Sequence, residues 1–315
     1  MSEGNMNDER VPPGSKFLAH GAAAEVWLVK TPNSAIHQCV LKMIRLNLET
    51  LKENYGPRGS KRAIQLWKQF TDVFRSKVAQ WKLLADSNVV RVLDLDENLH
   101  LRVEYLAHGS ASQIHDVLAG LYYLHSQSSP VVHGCIRMDK LFVDANGTTK
   151  IGEFGLASLL GDFEFFAPSI TQAGQVRWMS PELLQTNTDQ RPIPTTASDI
   201  WALGCTLFEI VSGKLPYSKY KHDLRTRHEI VSKKAPGLPE NLLHPDFAAV
   251  WTLITSCWEW DHEQRPSVHK LVQYIYLPFG VTLAPVAQES QNINTFDPGN
   301  HGLAKSIMSI RKYGR

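Results

Sequence analysis

The stretch VVHGCIRMDKLFVDANGTTKIGEFG, residues 131–155, decides the fold. It begins as an irregular segment and continues as two short strand patterns separated by Ala145-Asn146-Gly147. Asn-Gly pairs favour the tight turns that join antiparallel strands, because both residues tolerate positive φ. The stretch therefore predicts a loop followed by a β-hairpin, with polar and charged side chains on the loop.

Upstream of this stretch, the pattern predicts a small lobe of strands around one long helix. Strands are expected within Phe17–Lys30, as strand, turn and strand, and then at Cys39–Leu46, Val89–Leu95 and Leu99–Tyr105. Lys61–Leu84 has apolar residues at spacings of three and four, which place them on one helix face. That stripe consists of Leu66, Phe70, Val73, Phe74, Val78, Trp81 and Leu84.

Downstream, the pattern changes to helices. Ile114–His125 and Asp199–Ser212 are predicted helices, and another helix is expected to begin at Trp251 and continue to Trp258. From Leu283 onward the chain mixes Gln, Asn, Pro and Gly without a period, which is typical of disordered segments. We therefore expect a second lobe that is mainly helical.

These patterns predict four parts of the chain. Residues 1–12 and 283–315 are expected to be disordered tails, residues 13–108 a first lobe, and residues 109–282 a second lobe. The 315 residues are 43% hydrophobic and 20% charged, which is enough apolar material for such a core.

Charge and cysteine usage exclude several classes of function. The net charge of +2 gives no global field that would favour nucleic acid or an acidic membrane. The four cysteines are far apart in sequence, so neither a redox C-x-x-C pair nor a zinc ribbon is expected. The polar N-terminus lacks the apolar run of a secretory signal, and no stretch is apolar enough to span a bilayer. We expect a soluble, cytoplasmic protein that binds neither nucleic acid nor membrane.

Six motifs in order resemble a protein-kinase domain, over about Phe17 to Phe279. They are VLK at 40–42, VVHGCIRMDKLFVD at 131–144, IGEFGLA at 151–157, VRWMSPELL at 176–184, SDIWALGCTLFEIVSGKLPY at 198–217 and CWEWDHEQRPSV at 257–268. The RWMSPEL run resembles the tyrosine-kinase-like group. The resemblance implies an α+β bilobal fold, with a small, mainly β N-lobe containing one long helix and a larger, mainly α C-lobe.

The resemblance also implies which residues of the first lobe would contact a nucleotide. The family's glycine-rich loop aligns with Ala19, Gly21 and Ala24, so Gly21 is a weak candidate for phosphate binding. Lys42 matches the lysine that contacts the α- and β-phosphates. Lys77 aligns with the glutamate that normally pairs with this lysine, and two ammonium groups would repel each other.

The catalytic loop departs most from the family pattern. His133 matches the histidine of the H-R-D motif, but Gly134 and Cys135 replace the arginine and the catalytic aspartate. A neutral thiol lacks the permanent negative charge that orients the substrate hydroxyl. Cys135 could instead be a nucleophile if Arg137 lowered its pKa.

The two metal-binding positions of the family are also changed. Lys140 stands in place of the asparagine that binds Mg²⁺, and a cation cannot ligate a cation. Glu153 replaces the aspartate of the D-F-G motif and is the one candidate metal ligand. Glu153 could instead pair with Lys42 or with Lys140.

Residues that the family uses to hold the second lobe together are retained. Glu182 and Arg265 match a buried ion pair, and Asp199 matches the aspartate that braces the backbone of the catalytic loop. With His133, these are predicted to be structural residues. After Ser110 several turns of helix that the family normally has are missing from the sequence.

We therefore predict a pseudokinase that acts in signalling by protein interaction. It would bind ATP weakly or not at all, requiring no cofactor or taking ATP without Mg²⁺. The alternative is a weakly active ATP-dependent serine/threonine kinase, with Glu153 holding the metal and Arg137 supplying the cation usual in such kinases. A third interpretation is a decaying relative without a stable role.

Overall fold

The computed structural model describes residues 11–20, 24–31, 38–45, 47–106, 114–153, 175–185, 192–237 and 248–276. Their elements fall into two compact units, a first that contains five strands and one helix and a second that is mainly helical. The predicted α+β class with two lobes is confirmed. The predicted boundaries at residues 12, 108 and 282 stay predictions, and the 283–315 tail and the gap after Ser110 lie outside the described residues.

An antiparallel sheet forms the centre of the first unit. Its strands are β1 (Lys16–His20), β2 (Ala24–Lys30), β3 (Gln38–Ile44), β4 (Val92–Leu95) and β5 (Leu101–Glu104). They lie in the order β1-β2-β3-β5-β4. One face of β2 and β3 is a buried apolar cluster that includes Trp27, Val29, Leu41 and Met43. The alternation of strand side chains places Lys42 on the other face.

Helix α1 (Leu48–Lys82) is 35 residues long, and its predicted start at Lys61 was wrong. The side chain of Asn47 caps the helix by accepting a hydrogen bond from the Thr50 N–H at 2.9 Å. The apolar stripe marks only the part of the helix that packs against β4, where Phe70 and Phe74 are fully buried. The first turns carry mostly polar side chains, so periodicity could not reveal them.

The second unit begins with α2 (Ile114–His125), which agrees with the predicted helix. A 3₁₀ turn (Met138–Lys140) then leads into the predicted hairpin, β6 (Leu141–Val143) and β7 (Thr149–Ile151). The Asp144 carboxylate accepts hydrogen bonds from two backbone N–H groups of the turn, each at 2.9 Å, and Gly147 has a φ of 84°. The tight turn thus holds the loop and hairpin in register.

In the described part of the second unit, the remaining elements are one 3₁₀ turn and five helices. These are the turn Val176–Trp178, α3 (Pro181–Leu184), α4 (Thr196–Ser212), α5 (Asp223–Val231), α6 (Ala248–Ser256) and α7 (Val268–Tyr276). Helix α4 begins with a reciprocal capping box between Thr195 and Ser198. It is buried along most of its length, and a Cβ added at Gly204 would lie 2.6 Å from the Cys257 side chain. No helix in the described part of the chain is long and apolar enough to cross a membrane.

Candidate active site

The candidate site of the second unit is built on Asp199, at the start of α4. This carboxylate is 1% exposed and accepts hydrogen bonds from the backbone N–H groups of His133 at 2.7 Å and Gly134 at 2.8 Å. Its Oδ2 also lies 2.9 Å from Nε2 of His125. Gly134 has a φ of 80°, which glycine adopts without strain. Asp199 therefore fixes the backbone where the loop turns.

His133 is fully buried and connects this loop to the end of β7. Its Nδ1 accepts a hydrogen bond from the Cys135 N–H at 3.2 Å, so Nε2 carries the proton and donates to the Gly152 carbonyl at 3.0 Å. Burial is the largest influence on this imidazole and lowers its pKa. A neutral, fully hydrogen-bonded histidine has a structural part in the loop, since neither ring nitrogen is available to a substrate.

Cys135, at the position of the family's catalytic aspartate, is 8% exposed. Burial raises the pKa of its thiol to about 11, and the positive charges of Arg137 and Lys140 do not offset this effect. The thiol is therefore protonated near neutral pH, which disfavours both a base and a thiolate nucleophile at this position. The hypothesis that Arg137 activates the thiol does not agree with this environment.

The two altered metal positions, Lys140 and Glu153, form an ion pair with each other. One of the three roles open to Glu153, the pair with Lys140, is present in the structure. Glu153 has a φ of 62°, a left-handed conformation that is unusual for a residue with a side chain. The side chains of Lys140 and Glu153 are 21% and 22% exposed, so solvent reaches the pair. The Lys140 ammonium group is thus paired with the Glu153 carboxylate, which is the candidate metal ligand.

Asp139 is a charged member of the site that the sequence analysis did not single out. Its carboxylate accepts a forked pair of hydrogen bonds from the Arg137 guanidinium, at 2.9 and 2.6 Å, and lies 3.7 Å from the Lys140 ammonium. The Arg137 guanidinium also lies 5.3 Å from the ring centre of Trp178. The sequence could have indicated this residue, because Asp139 directly precedes Lys140, the lysine at the metal position.

Glu209 on α4 was also missed. Burial raises the pKa of this carboxyl, and the negative charge of Asp139 adds to the effect. This carboxyl therefore ionises less readily than an ordinary glutamate. It lies inside the SDIWALGCTLFEIVSGKLPY run, but no position that the family's chemistry requires falls on it.

The predicted scaffold residues Glu182 and Arg265 form an ion pair within the second unit. The Arg265 guanidinium donates to both carboxylate oxygens of Glu182, at 2.7 and 2.8 Å, and to the carbonyls of Ala197 and Glu259. Its side chain has no exposed surface and lies over the ring of Trp201. Burial opposes ionisation of Glu182, but the hydrogen bonds and charge of Arg265 outweigh it and lower the pKa of this carboxyl.

The predicted nucleotide contacts belong to the first unit. Lys42 lies on β3 with 7% exposure, paired in register with Val26 on β2 and Leu101 on β5. Lys77 is exposed on α1. Gly21 lies outside the described residues. The roles assigned to these three residues stay predictions.

Comparison with known protein families decides the identity of this fold. The model described as the protein kinase domain matches residues 65–277, more than half of the chain. The chain belongs to the protein kinase family. This match covers the C-terminal half of α1, the Asp199-braced loop, the hairpin, α3 with Glu182, and the loop before α7 that carries Arg265.

Curated relatives of this kinase domain are named as a serine/threonine-protein kinase and as mitogen-activated protein kinase kinase kinases. It is 28% identical to the serine/threonine-protein kinase BCK1/SLK1/SSP31 of Saccharomyces cerevisiae, over 76% of this chain and 17% of that protein. It is 27% identical to mitogen-activated protein kinase kinase kinase 2 of Arabidopsis thaliana, over 74% of this chain and 37% of the relative. Mitogen-activated protein kinase kinase kinase 5 of Arabidopsis thaliana is 30% identical over 58% of this chain and 25% of its own length. The chain thus spans well under half of these relatives.

The expectation that the domain requires no cofactor, or takes ATP without Mg²⁺, was wrong. The family and its curated relatives are protein kinases, and protein kinases use ATP with Mg²⁺. ATP with Mg²⁺ is therefore the cofactor to expect for this domain.

The described residues do not fit Mg²⁺ in their present arrangement. Within the described ranges, no group of three or more His, Cys, Asp or Glu side chains is placed to hold a metal ion. Glu153 is paired with Lys140, and Mg²⁺ needs several oxygen ligands at about 2.1 Å. A metal at this position would have to compete with the ammonium group for the carboxylate.

Proposed function

We propose that this protein kinase domain is a pseudokinase that acts through contacts with other proteins. The observation that carries the proposal is the buried, protonated thiol of Cys135 at the position of the catalytic aspartate. Phosphoryl transfer to a protein requires a group there that orients the substrate hydroxyl and accepts its proton. A thiol whose pKa is about 11 is a poor acceptor at neutral pH.

The ion pair between Lys140 and Glu153 supports the same proposal. In the family both positions carry metal ligands, and here their charges neutralise each other. The catalytic groups of an enzyme act together, so losing the base and weakening the metal site lower the same rate. The scaffold around Asp199 and Arg265 remains fully hydrogen-bonded, which supports a folded domain with a role that does not depend on catalysis.

A second candidate is an active serine/threonine protein kinase. The comparisons support it more directly than they support a pseudokinase, because the curated relatives are named as serine/threonine or mitogen-activated kinases. Arg137 adds to this support, since it supplies a cation two residues after the base position. The assignment to the tyrosine-kinase-like group rests on the RWMSPEL run alone and belongs with these proposals.

Transfer of labelled phosphate from ATP, with Mg²⁺ present, to a serine/threonine peptide library distinguishes the two candidates. For a pseudokinase, the purified domain and its Glu153→Ala variant give the same background signal. Transfer by the domain that disappears in Glu153→Ala and in Lys42→Ala would establish the kinase and end the pseudokinase proposal. The two variants also exclude a contaminating kinase, whose signal neither substitution would change.

A further inference from the structure

A strongly basic segment surrounds helix α5, on the second unit. Residues 214–234, KLPYSKYKHDLRTRHEIVSKK, contain five Lys and two Arg against one Asp and one Glu. This local net charge of +5 exceeds the charge of +2 for the whole chain. The segment is therefore locally basic, although the global charge gave no indication of a binding surface.

The outward face of α5 is partly apolar. Thr226 and Ile230 are buried on one side of the helix, whereas Leu224, His228 and Val231 are exposed on the opposite side. These three follow each other at spacings of four and three, so they form one stripe about 10 Å long. Leu224 is 83% exposed and Val231 is 46% exposed. An apolar stripe within a basic surface is a feature of interaction sites.

The helix that carries this stripe is firmly held. The Arg177 guanidinium donates to the carbonyls of Pro216, Tyr217 and Tyr220, at 3.0, 2.8 and 2.6 Å, and so fixes the segment before the helix. Arg227 donates to the Leu184 carbonyl at 2.7 Å and ties the helix itself to α3. The exposure of Leu224 and Val231 is therefore imposed by the packing of the buried face, and the stripe is preorganised for a partner.

The charges on this surface are unbalanced. Glu229 is 4% exposed and is engaged by Arg225 at 2.5 Å and by the Tyr220 hydroxyl at 3.2 Å. Lys221 precedes α5, and Lys233 and Lys234 follow it, and all three are exposed. None of these three forms an ion pair with another residue in the described part of the chain. Cations thus lie beyond both ends of the apolar stripe.

We infer that this α5 surface, defined by Leu224, His228, Val231, Lys221, Lys233 and Lys234, binds an acidic amphipathic segment of a partner protein. Apolar side chains of that segment contact the stripe, and carboxylates on either side of them pair with the lysines. The phosphate backbone, which dominates nucleic-acid affinity, offers no apolar contact to this stripe. Two aliphatic side chains also bury too little area to hold a membrane surface. This inference rests on the proposed role in protein interaction and names the chemistry of the partner.

A peptide display experiment tests the inference without a known partner. A random library of peptides about 12 residues long, enough to cover the stripe as a helix, is selected on the purified domain. The Leu224→Asp/Val231→Asp variant serves for counter-selection. The expected outcome is enrichment of peptides that contain at least two apolar residues and an excess of Asp and Glu. Enrichment of neutral or basic peptides, or no enrichment, would overturn the inference.

Matched variants then locate the binding. Leu83 is also 83% exposed but belongs to the first unit, so Leu83→Asp is the control for Leu224→Asp. We expect the peptide affinity to fall roughly 10-fold or more in Leu224→Asp, from the lost apolar contact, and to be unchanged in Leu83→Asp. Lys233→Glu/Lys234→Glu should lower the peptide affinity and make it less dependent on salt concentration. Lys270→Glu on α7 should change neither quantity. An equal loss in the control variants would contradict the location.

Two further outcomes identify the other possible occupants. The domain is also tested for binding to vesicles containing phosphatidylserine and to duplex DNA. Binding to either ligand that depends on the same lysines, together with no enrichment of acidic peptides, would overturn the inference in favour of that ligand. The peptide result is also independent of the phosphoryl-transfer assay. Phosphate transfer would end the pseudokinase proposal but would not contradict a peptide-binding surface on α5. Failure of the peptide selection would contradict only the inference about that surface.

Discussion

Two glutamate–cation pairs in the second unit differ in how firmly they are held. In the Glu182–Arg265 pair, the guanidinium has no exposed surface, contacts both carboxylate oxygens and donates to two further carbonyls. In the Lys140–Glu153 pair, both side chains are about one-fifth exposed, and Lys140 is shared with Asp139. The first pair joins distant segments of the chain, whereas the second can exchange partners. The scaffold pair is thus held more firmly than the pair formed by the two residues at the family's metal positions.

Breaking the buried pair is expected to have the largest effect. Replacing Arg265 by Met leaves the Glu182 carboxylate without its cation, so the free energy of unfolding should fall by about 3–5 kcal/mol. Urea unfolding followed by tryptophan fluorescence measures this loss. The double variant Glu182→Gln/Arg265→Met should recover part of it, since no uncompensated charge remains. A single variant as stable as the wild type would contradict the scaffold role of Arg265.

Asp199→Asn should have the next largest effect. The amide keeps the size of the carboxylate but offers one acceptor oxygen to donors that now use two. Losing charge-assisted hydrogen bonds of this kind costs about 1.5–3 kcal/mol. Faster amide hydrogen exchange at His133 and Gly134 should accompany the loss, which would show that the catalytic loop is the part that loosens. Unchanged exchange at these two amides would argue that only the favourable negative charge in the first turn of α4 was lost.

The pH dependence of stability should distinguish Glu182 from an ordinary surface carboxyl. Because Arg265 lowers the pKa of Glu182 in the folded protein, the ionised form contributes stability above the pKa of an unfolded glutamate, about 4.3. This contribution is lost as the pH falls through the lower, folded value. The wild type should therefore lose more stability than Glu182→Gln between neutral and acidic pH. Parallel pH profiles of the two proteins would be evidence against the pKa direction.

Removing the exposed pair should have the smallest effect on stability. Because solvent screens the pair, Lys140→Asn should change the free energy of unfolding by less than about 1 kcal/mol. The same substitution frees Glu153 and adds an oxygen ligand, so the thermal shift produced by ATP with Mn²⁺ should increase. Lys140→Met, which removes the ammonium without adding a ligand, should give a smaller increase. Equal shifts in all three proteins would show that Lys140 does not compete with the metal.

Local pattern predicted most of the secondary structure. Helix α2 and the hairpin around Gly147 follow from apolar spacing and turn residues that lie close together in the sequence. The start of α1 could not be predicted in this way, because Leu51 is the one buried residue among the described side chains of residues 48–60. This part of the helix also depends on the Asn47 cap. Periodicity detects a helix only where the helix is packed.

The sequence identified most residues of the candidate site but could not predict which of them form ion pairs with each other. The motifs singled out Glu153 and left it the choice of a metal, Lys42 or Lys140. Asp139 and Glu209 were missed because they occupy no motif position that the catalytic chemistry requires. The α5 surface was missed because charge was counted over the whole chain, where the acidic residues elsewhere conceal the local excess.

By itself, the sequence determined the family and the order of the predicted elements, and it predicted that Cys135 stands in place of the catalytic aspartate and Lys140 in place of a metal ligand. These conclusions depend on residue type and spacing, which are local properties. Only the tertiary structure decided that Cys135 is buried, that Glu153 pairs with Lys140, and that Leu224 and Val231 face outward. Burial and pairing depend on residues far apart in the chain, such as Glu182 and Arg265, which are 83 positions apart. Their proximity comes from the packing of the whole unit.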